Sequence, residues 1–343
     1  MDVSPLNYKL TFEPDLKKFT FNGLESISIN CKKSVNVITM NCAELKIKSC
    51  IVKSGKKIIK SFPKTNEKKE ELQIKLAEKI RGLCTVDLEF EGILNDRLLG
   101  FYRSRYEQNG KTKYLATTQF EAADARRAFP CWDEPEAKAT FEISIIADNQ
   151  FTAISNMPVK TKKKTGKTTL YNFQKTPLVS TYLIYLGVGE FEYLSGKAGK
   201  IQIRVVTTKG NTSKGKFSLE LGKKLLTSYE KYFGIKFPLP KLDLIAVPDF
   251  AAGAMENWGA ITFRETILLY DPKTSSTRTK QFIAEVISHE IAHMWFGNLV
   301  TMKWWNDLWL NESFATFMAT KFVDKFYPEW DLWNQFVEDA MNV

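Results

Sequence analysis

The sequence predicts an α+β protein of more than one domain, in which a β-rich part precedes a mixed α/β part. Three observations predict this. The chain has 343 residues, which is too long for one ordinary hydrophobic core. Apolar and polar residues alternate through the first half, whereas helical spacing appears in the second. The positive excess lies entirely in the first half: residues 1–189 hold 31 Lys and Arg against 21 Asp and Glu, and the remainder holds 18 of each.

The first domain is predicted over residues 1–189 as an antiparallel β domain. Apolar residues at every second position are typical of half-buried strands. An apolar run from Tyr182 to Val188, which includes Gly187 and is followed by Gly189, closes this part. Three segments show the alternation: Leu72-Ile74-Leu76, Val86-Leu88-Phe90 and Phe141-Ile143-Ile145.

The second domain is predicted over residues 190–343 as α/β with its helices last. Its first helix covers 216–233 and stops at Gly234. The other predicted elements are strands over 201–206 and Leu242–Val247, a Gly-rich turn followed by Ala260–Leu269, and helices over Thr279–Phe296 and Leu310–Phe326.

The location predicted by the sequence is cytoplasmic. Asp2, Pro5 and Asn7 interrupt the stretch where a signal peptide needs an apolar core. No run of about 18 apolar residues lacks charge, so no membrane span is expected. The five cysteines are odd in number and unevenly spaced, which indicates reduced thiols.

The net charge of +10 raises the possibility of a polyanion partner. Much of it lies in two lysine clusters, which stand beside Gly55 and Gly166 and are interpreted as solvated loop tips. No nucleic-acid motif accompanies them, so neither a nucleic acid nor a membrane is expected as a partner. The clusters are Lys53, Lys56, Lys57 and Lys60, and Lys160, Lys162, Lys163, Lys164 and Lys167.

The chain contains only two histidines, His289 and His293, four residues apart in a predicted helix. At this spacing both imidazoles leave one helix face and can bind one ion together. A hydrolytic site of the two-histidine, one-carboxylate type needs a third ligand, and Glu312 at the start of the next helix supplies it. Two nitrogens and one carboxylate favour one Zn²⁺ over Mg²⁺ or Ca²⁺. Glu312 could alternatively serve only the helix N-terminus.

Glu290, between the histidines, is the candidate general base for a hydrolytic water, a pattern that indicates peptide hydrolysis. Removal of single N-terminal residues also requires a group that binds an α-ammonium. Glu256, just after a Gly-rich turn, is the candidate carboxylate for that role. A single Glu in a loop is otherwise usually solvated.

Four motifs together resemble the gluzincin zinc aminopeptidases, the HExxH-x18-E family that includes aminopeptidase N, puromycin-sensitive aminopeptidase, leukotriene hydrolase and the tricorn-interacting factors. The resemblance covers most of the chain in the family's order. It implies a saddle-shaped N-terminal β domain followed by part of a thermolysin-like catalytic domain. The motifs are Thr118–Pro135, Gly253–Gly259, His289–Thr301 and Trp304–Phe317.

The resemblance also implies roles for individual residues. His289, His293 and Glu312 are similar to the family's zinc ligands, Glu290 to its general base, and Glu256 to its amine-binding carboxylate. Further residues resemble substrate-binding positions: Gly253 and Ala254 the backbone edge along which the peptide lies, and Gln119 and Glu121 side chains of the first-residue pocket.

The family's catalytic tyrosine would lie several tens of residues after Val343, so the resemblance implies an N-terminal portion of low activity. Two other classes stay open: a catalytically silent zinc module for binding partners, and a basic nucleic-acid-binding protein. Within the enzyme class, an epoxide-opening activity is disfavoured because the chain reads GAMEN rather than GGMEN.

Overall fold

The structure is a computed structural model that describes residues 1–341. The chain forms two compact units, Met1–Glu190 and a second that begins at Phe191. The first unit is built from β-strands, and the second combines a five-stranded sheet with α-helices. The predicted α+β class, with the β-rich part first, is confirmed.

The N-terminal unit contains two sheets. A nine-stranded sheet has the order β11-β12-β9-β1-β2-β6-β3-β4, with β5 on β6, and a four-stranded sheet has the order β10-β13-β8-β7. The strands are β1 (Val3–Asp15), β2 (Thr20–Asn41), β3 (Lys46–Ser54), β4 (Lys57–Ile59), β5 (Ser61–Asn66), β6 (Glu71–Ile93), β7 (Gly100–Gln108), β8 (Lys111–Gln119), β9 (Thr140–Asp148), β10 (Thr152–Ser155), β11 (Val159–Thr165), β12 (Thr168–Phe173) and β13 (Leu186–Gly189).

Long alternating strands build the core of this unit. Strand β2 pairs with β6 along most of its length, and one face of each strand is buried. Gly23 lies opposite Phe90, and a Cβ on Gly23 would stand 2.2 Å from that ring. Tyr8 stacks on Phe141 with their ring centroids 4.8 Å apart. Because Gly23 has no side chain, the Phe90 ring fits against strand β2 in the core.

The pairing of the first strand departs from the prediction of an antiparallel domain. Strand β1 pairs antiparallel with β2 but parallel with β9, from Asn7 opposite Thr140 to Phe12 opposite Ile145. Parallel neighbours need a long connection, and here the chain between them includes the β7–β8 hairpin of the other sheet. Alternation of side chains is the same in both kinds of pairing, so it does not give strand direction.

The second lysine cluster lies mainly on a strand and not on a loop tip, which corrects the prediction. Lys160, Lys162, Lys163 and Lys164 belong to β11, the edge strand of the large sheet, and every residue of β11 is exposed. Lysines on an edge strand discourage pairing with another chain. A strand exposed on both faces has no apolar alternation, which explains why the pattern resembled a loop.

The C-terminal unit has a sheet of order β14-β15-β16-β18-β17, in which β16 runs parallel to both β15 and β18. Every residue of β16 is buried, as expected for the centre of a parallel sheet. The elements are β14 (Phe191–Ala198), β15 (Ile201–Thr208), α1 (Lys216–Phe233), β16 (Lys241–Val247), β17 (Ala254–Met255), β18 (Ala260–Arg264), α2 (Thr277–His293), α3 (Leu308–Phe326) and α4 (Leu332–Met341).

Local sequence sets the helix ends. Gly234 ends α1 in the left-handed conformation, with φ of 67°. Ser276 caps α2 by accepting a hydrogen bond from the Thr279 amide at 3.1 Å. Helix α2 ends at His293 and not at Phe296 as predicted, because the chain turns at Gly297, whose φ is 125°. The second histidine therefore stands at the helix end.

A buried charge cluster connects three neighbouring strands of this sheet. Asp243 of β16 accepts two hydrogen bonds from Arg204 of β15, both at 2.6 Å, and one from Lys241 at 2.7 Å. The Lys241 ammonium also donates to the Gly259 carbonyl at 2.7 Å, next to β18. This cluster therefore holds the end of the Gly253–Gly259 segment against the sheet.

Two further features concern the whole described chain. Within residues 1–341, no helix is both long enough and apolar enough to cross a membrane. All five cysteines are free thiols, and four are buried. Burial raises the pKa of Cys31 to about 11 and that of Cys42 to about 12, so these two thiols are poor nucleophiles near neutral pH.

Candidate active site

The two histidines face the same side of α2, one turn apart. Their Nε2 atoms lie 2.9 Å apart, and the ring centroids are separated by 4.6 Å. His293 is almost fully buried, with 1% of its side chain exposed, and His289 is partly exposed. The i, i+4 spacing in the sequence thus becomes two nitrogens directed at one point.

Glu312 reaches that point from α3, which packs against α2. Its Oε2 atom lies 3.2 Å from His289 Nε2 and 3.7 Å from His293 Nε2. A turn after His293 and a short 3₁₀-helix, Trp305–Asp307, bring the chain back before α3 begins. The three ligand atoms therefore form one compact triangle.

The size of this triangle fits a tetrahedral zinc ion. Zn–N and Zn–O bonds of about 2.0–2.1 Å at tetrahedral angles separate neighbouring ligand atoms by about 3.3 Å. The three observed separations of 2.9, 3.2 and 3.7 Å bracket that value. The donor set of two imidazoles and one carboxylate also suits Zn²⁺ and leaves one position for water or substrate.

The electrostatics of the cluster favour an added positive charge. Burial lowers the pKa of His293, but the carboxylates of Glu256 and Glu312 outweigh burial and raise that pKa to about 10. Burial lowers the pKa of His289. Burial alone would raise the pKa of Glu312, but hydrogen bonds with both histidines hold it well below its usual range. Without metal, His293 thus holds a proton at the position where a metal cation fits.

The outer nitrogen of each imidazole also has a partner. His293 Nδ1 lies 2.9 Å from the Phe296 carbonyl oxygen, and His289 Nδ1 lies 3.2 Å from Thr316 Oγ1. Such hydrogen bonds orient the rings of metal-binding histidines. Sequence reasoning missed Thr316, although its position four residues after Glu312 places both on one face of α3.

Glu290 is buried, with 6% of the residue exposed. It lines a cavity of about 250 Å³ together with His289, Gly253 and Ala254. The structure thus brings the candidate base to the same cavity as one candidate ligand and the candidate peptide-binding edge. A carboxylate beside a metal position can accept a proton from a water molecule there.

Glu256 lies near the C-terminal end of α2. Asn298, just after α2, donates from Nδ2 to the Glu256 carbonyl oxygen at 2.8 Å. Glu256 is 3% exposed, and its buried Oε1 atom has no hydrogen-bond partner within residues 1–341. An unpaired buried carboxylate oxygen is costly, so a ligand that donates to it is favoured there.

Gly253 and Ala254 lie at one edge of the C-terminal sheet. Strand β17, which contains Ala254, is the last strand in the sheet order and, among the described strands, pairs with β18 alone. The Gly253 carbonyl accepts a hydrogen bond from the Arg264 amide at 2.9 Å. An edge strand offers backbone groups to an extended peptide.

Gln119 and Glu121 belong to the N-terminal unit. Gln119 is the last residue of β8 and is buried, and Glu121 follows two residues later and is half-buried. Their assignment to a first-residue pocket stays a prediction.

Comparison with known proteins identifies the family to which this chain belongs. The family model described as "Peptidase M1 N-terminal domain" matches residues 4–183, and the model described as "Peptidase family M1 domain" matches residues 217–343. The chain therefore belongs to peptidase family M1, which confirms the resemblance noted in the sequence.

Relatives within the family are named as aminopeptidases. Aminopeptidase M1 of Arabidopsis thaliana is 44% identical over 98% of this chain and 39% of its own length. Aminopeptidase 2, mitochondrial, of Saccharomyces cerevisiae and puromycin-sensitive aminopeptidase of Caenorhabditis elegans are each 44% identical over 99% of this chain and 36% of their own lengths. The chain thus spans less than two-fifths of the length of these relatives.

Proposed function

We propose that this chain forms part of a zinc-dependent aminopeptidase that hydrolyses the N-terminal residue of peptides. The observation that carries the proposal is the convergence of His289, His293 and Glu312 into a triangle of tetrahedral size. Family membership and the names of the relatives support the same reaction class. The cofactor proposed is one Zn²⁺ per chain.

His289, His293 and Glu312 would hold the zinc ion. When bound, zinc polarises the scissile carbonyl and lowers the pKa of water at the site towards 7. Glu290 accepts a proton from that water as oxygen attacks the carbonyl carbon. Glu290 then returns the proton to the leaving nitrogen as the C–N bond breaks. The products are a free amino acid and a peptide shortened by one residue.

Glu256 would bind the α-ammonium group of the substrate. A partly desolvated carboxylate 4 Å from an ammonium gains about 4 kcal/mol of gross attraction at an effective dielectric near 20. The buried Oε1 atom of Glu256 would also gain a hydrogen-bond donor. We further propose that Gly253 and Ala254 bind the peptide backbone, and that Gln119 and Glu121 contribute to the pocket of the first side chain.

A substrate panel with matched variants tests the function. The chain should bind about one zinc ion. The full-length protein should cleave aminoacyl fluorogenic substrates faster than this chain alone, and chelation should abolish cleavage by both. Glu290→Gln should retain zinc and lose cleavage. Glu256→Gln should lose most activity on free-amine substrates while retaining zinc. Undiminished hydrolysis by Glu290→Gln would reject the base, and bound zinc without hydrolysis even by the full-length protein would favour a silent zinc module.

Partners and location complete the proposal. We propose peptides as the partners, with neither a nucleic acid nor a membrane, and a cytoplasmic location. In the first lysine cluster, Lys53 pairs with Asp87 at 2.7 Å and Lys57 with Glu78 at 2.6 Å, which supports local neutralisation of that charge. Nucleic-acid affinity that falls steeply with salt would contradict this part of the proposal.

A further inference from the structure

The hydroxyl group next to His289 has no role in the function proposed above. Thr316 Oγ1 lies 3.2 Å from His289 Nδ1, the nitrogen opposite the candidate metal-binding atom. Thr316 and Glu312 stand four residues apart on α3, so both face α2. One helix thus presents a carboxylate to the inner nitrogen of His289 and a hydroxyl to its outer nitrogen.

We propose that Thr316 is a positioning residue that orients the His289 imidazole for metal binding and thereby sets the zinc affinity of the site. The inference rests on the proposed zinc site and concerns how strongly that site binds. Metal binding through Nε2 requires the proton of a neutral imidazole to be on Nδ1. Thr316 Oγ1 then accepts the Nδ1–H hydrogen bond.

His289 depends on this contact more than its neighbour does. The outer nitrogen of His293 faces the Phe296 carbonyl, which can only accept, and only 1% of the His293 side chain is exposed. His289 is partly exposed, with 21% of its side chain accessible, and its outer nitrogen faces a hydroxyl that can either donate or accept. Without Thr316, both the ring orientation and the proton position of His289 are less restricted.

Three substitutions at Thr316 separate the hydroxyl from the side-chain shape. Thr316→Val keeps the shape, removes the hydrogen bond and puts a methyl group where the hydroxyl stood. Its zinc affinity should fall about 10- to 100-fold, the range for loss of such partners. Thr316→Ser keeps the hydroxyl and should stay within about twofold of the original affinity. Thr316→Ala leaves room for water and should be intermediate.

Thr320, which is buried and lines the same cavity as Glu290, supplies a control for the change from threonine to valine on the same helix. It lies one turn further along α3, and its Oγ1 donates to the Thr316 carbonyl at 3.2 Å, without a described contact to either histidine. Thr320→Val makes the same chemical change, and its zinc affinity should equal that of the unchanged protein. Circular dichroism of each metal-free variant checks folding, which exposed Thr316 should not affect.

Zinc dissociation constants from competition with a chromophoric chelator provide the first readout. Imidazole ¹⁵N NMR provides a second, because the chain has only two histidines and both lie in the site. In metal-free Thr316→Val, the His289 nitrogen shifts should indicate more of the Nε2–H form, with those of His293 unchanged. Zinc affinity and shifts equal to those of the unchanged protein would overturn the role of Thr316 alone. Absence of zinc binding by the unchanged protein would overturn both the site and this role.

Discussion

Replacement of Asp243 by Asn should strongly destabilise the C-terminal unit. Asp243 is 0% exposed and is the only carboxylate bonded to both Arg204 and Lys241 in the described chain. Asparagine keeps the shape but removes the charge, and its amide NH₂ group faces two donors. Removal of one partner from a buried ion pair costs about 3–5 kcal/mol, because the remaining charge is uncompensated.

The loss of stability can be measured in the C-terminal unit, which contains Asp243. Trp132 is the only tryptophan of the N-terminal unit, so tryptophan fluorescence during urea unfolding reports mainly on the C-terminal unit. At about 2–4 °C per kcal/mol, the melting temperature should fall by about 6–20 °C. Glu220→Gln removes an exposed ion pair with Lys223 and should change stability by at most about 0.5 kcal/mol.

The pH dependence provides a second check on the same substitution. Burial would raise the pKa of Asp243, but the charges and hydrogen bonds of Lys241 and Arg204 outweigh it and lower that pKa. The carboxylate's contribution is therefore present above the unfolded pKa of about 3.9 and is lost as pH falls through the lower folded value. The difference between Asp243→Asn and the unchanged protein should shrink in acid. A cost below about 1 kcal/mol at pH 7, or one that does not shrink, would refute the reasoning.

Other predictions concern a buried acid, the metal site and the core. Glu25 is buried without a hydrogen-bond partner for either oxygen within residues 1–341. Burial raises its pKa well above the usual value. The stability that Glu25 contributes to the folded protein therefore falls as pH rises above about 4. Glu25→Gln should therefore gain stability relative to the unchanged protein between pH 4.5 and 8 in urea titrations; a pH-independent difference would contradict this. Because the pKa of His293 is about 10 in the metal-free site, zinc binding at pH 7.5 should release a proton, and calorimetry should give buffer-dependent enthalpies. Gly23→Ala should lower the free energy of unfolding by about 1–3 kcal/mol, because the added methyl group overpacks against Phe90. In the double variant, Phe90→Leu should recover part of that loss. If the effects of the two substitutions simply add, the clash between these positions is contradicted.

Most elements could be predicted from the sequence because their signals are local. The alternation around Leu72 and Val86 is that of β6, and the apolar spacing over 216–233 matches α1, including its stop at Gly234. The sequence gives weaker signals where a strand lacks apolar alternation or where the direction of strand pairing is in question. The lysine-rich strand β11 lacks alternation because both of its faces are exposed, and the parallel pairing of β1 with β9 leaves no mark on a single strand.

Some features of the candidate site could likewise be predicted from the sequence, and others could not. The His289 and His293 side chains share a face because α-helical geometry fixes residues four apart, so the sequence alone predicted that they lie together. The need for a third ligand and the start of the next predicted helix indicated Glu312, but its arrival opposite the histidines depends on the path of the chain between α2 and α3. The hydrogen bond from Asn298 to the Glu256 carbonyl had no sequence signal, since it joins residues 42 positions apart.

The sequence by itself thus determined most of the secondary structure, the family and the two imidazoles on one helix face, since each depends on neighbouring residues or on whole motifs. Tertiary structure alone decided the 2.9–3.7 Å triangle, the contact of Thr316 with His289 and the burial of Asp243 between two cations. These contacts join side chains from different elements. Their distances follow from how helices and strands pack, which no local spacing specifies.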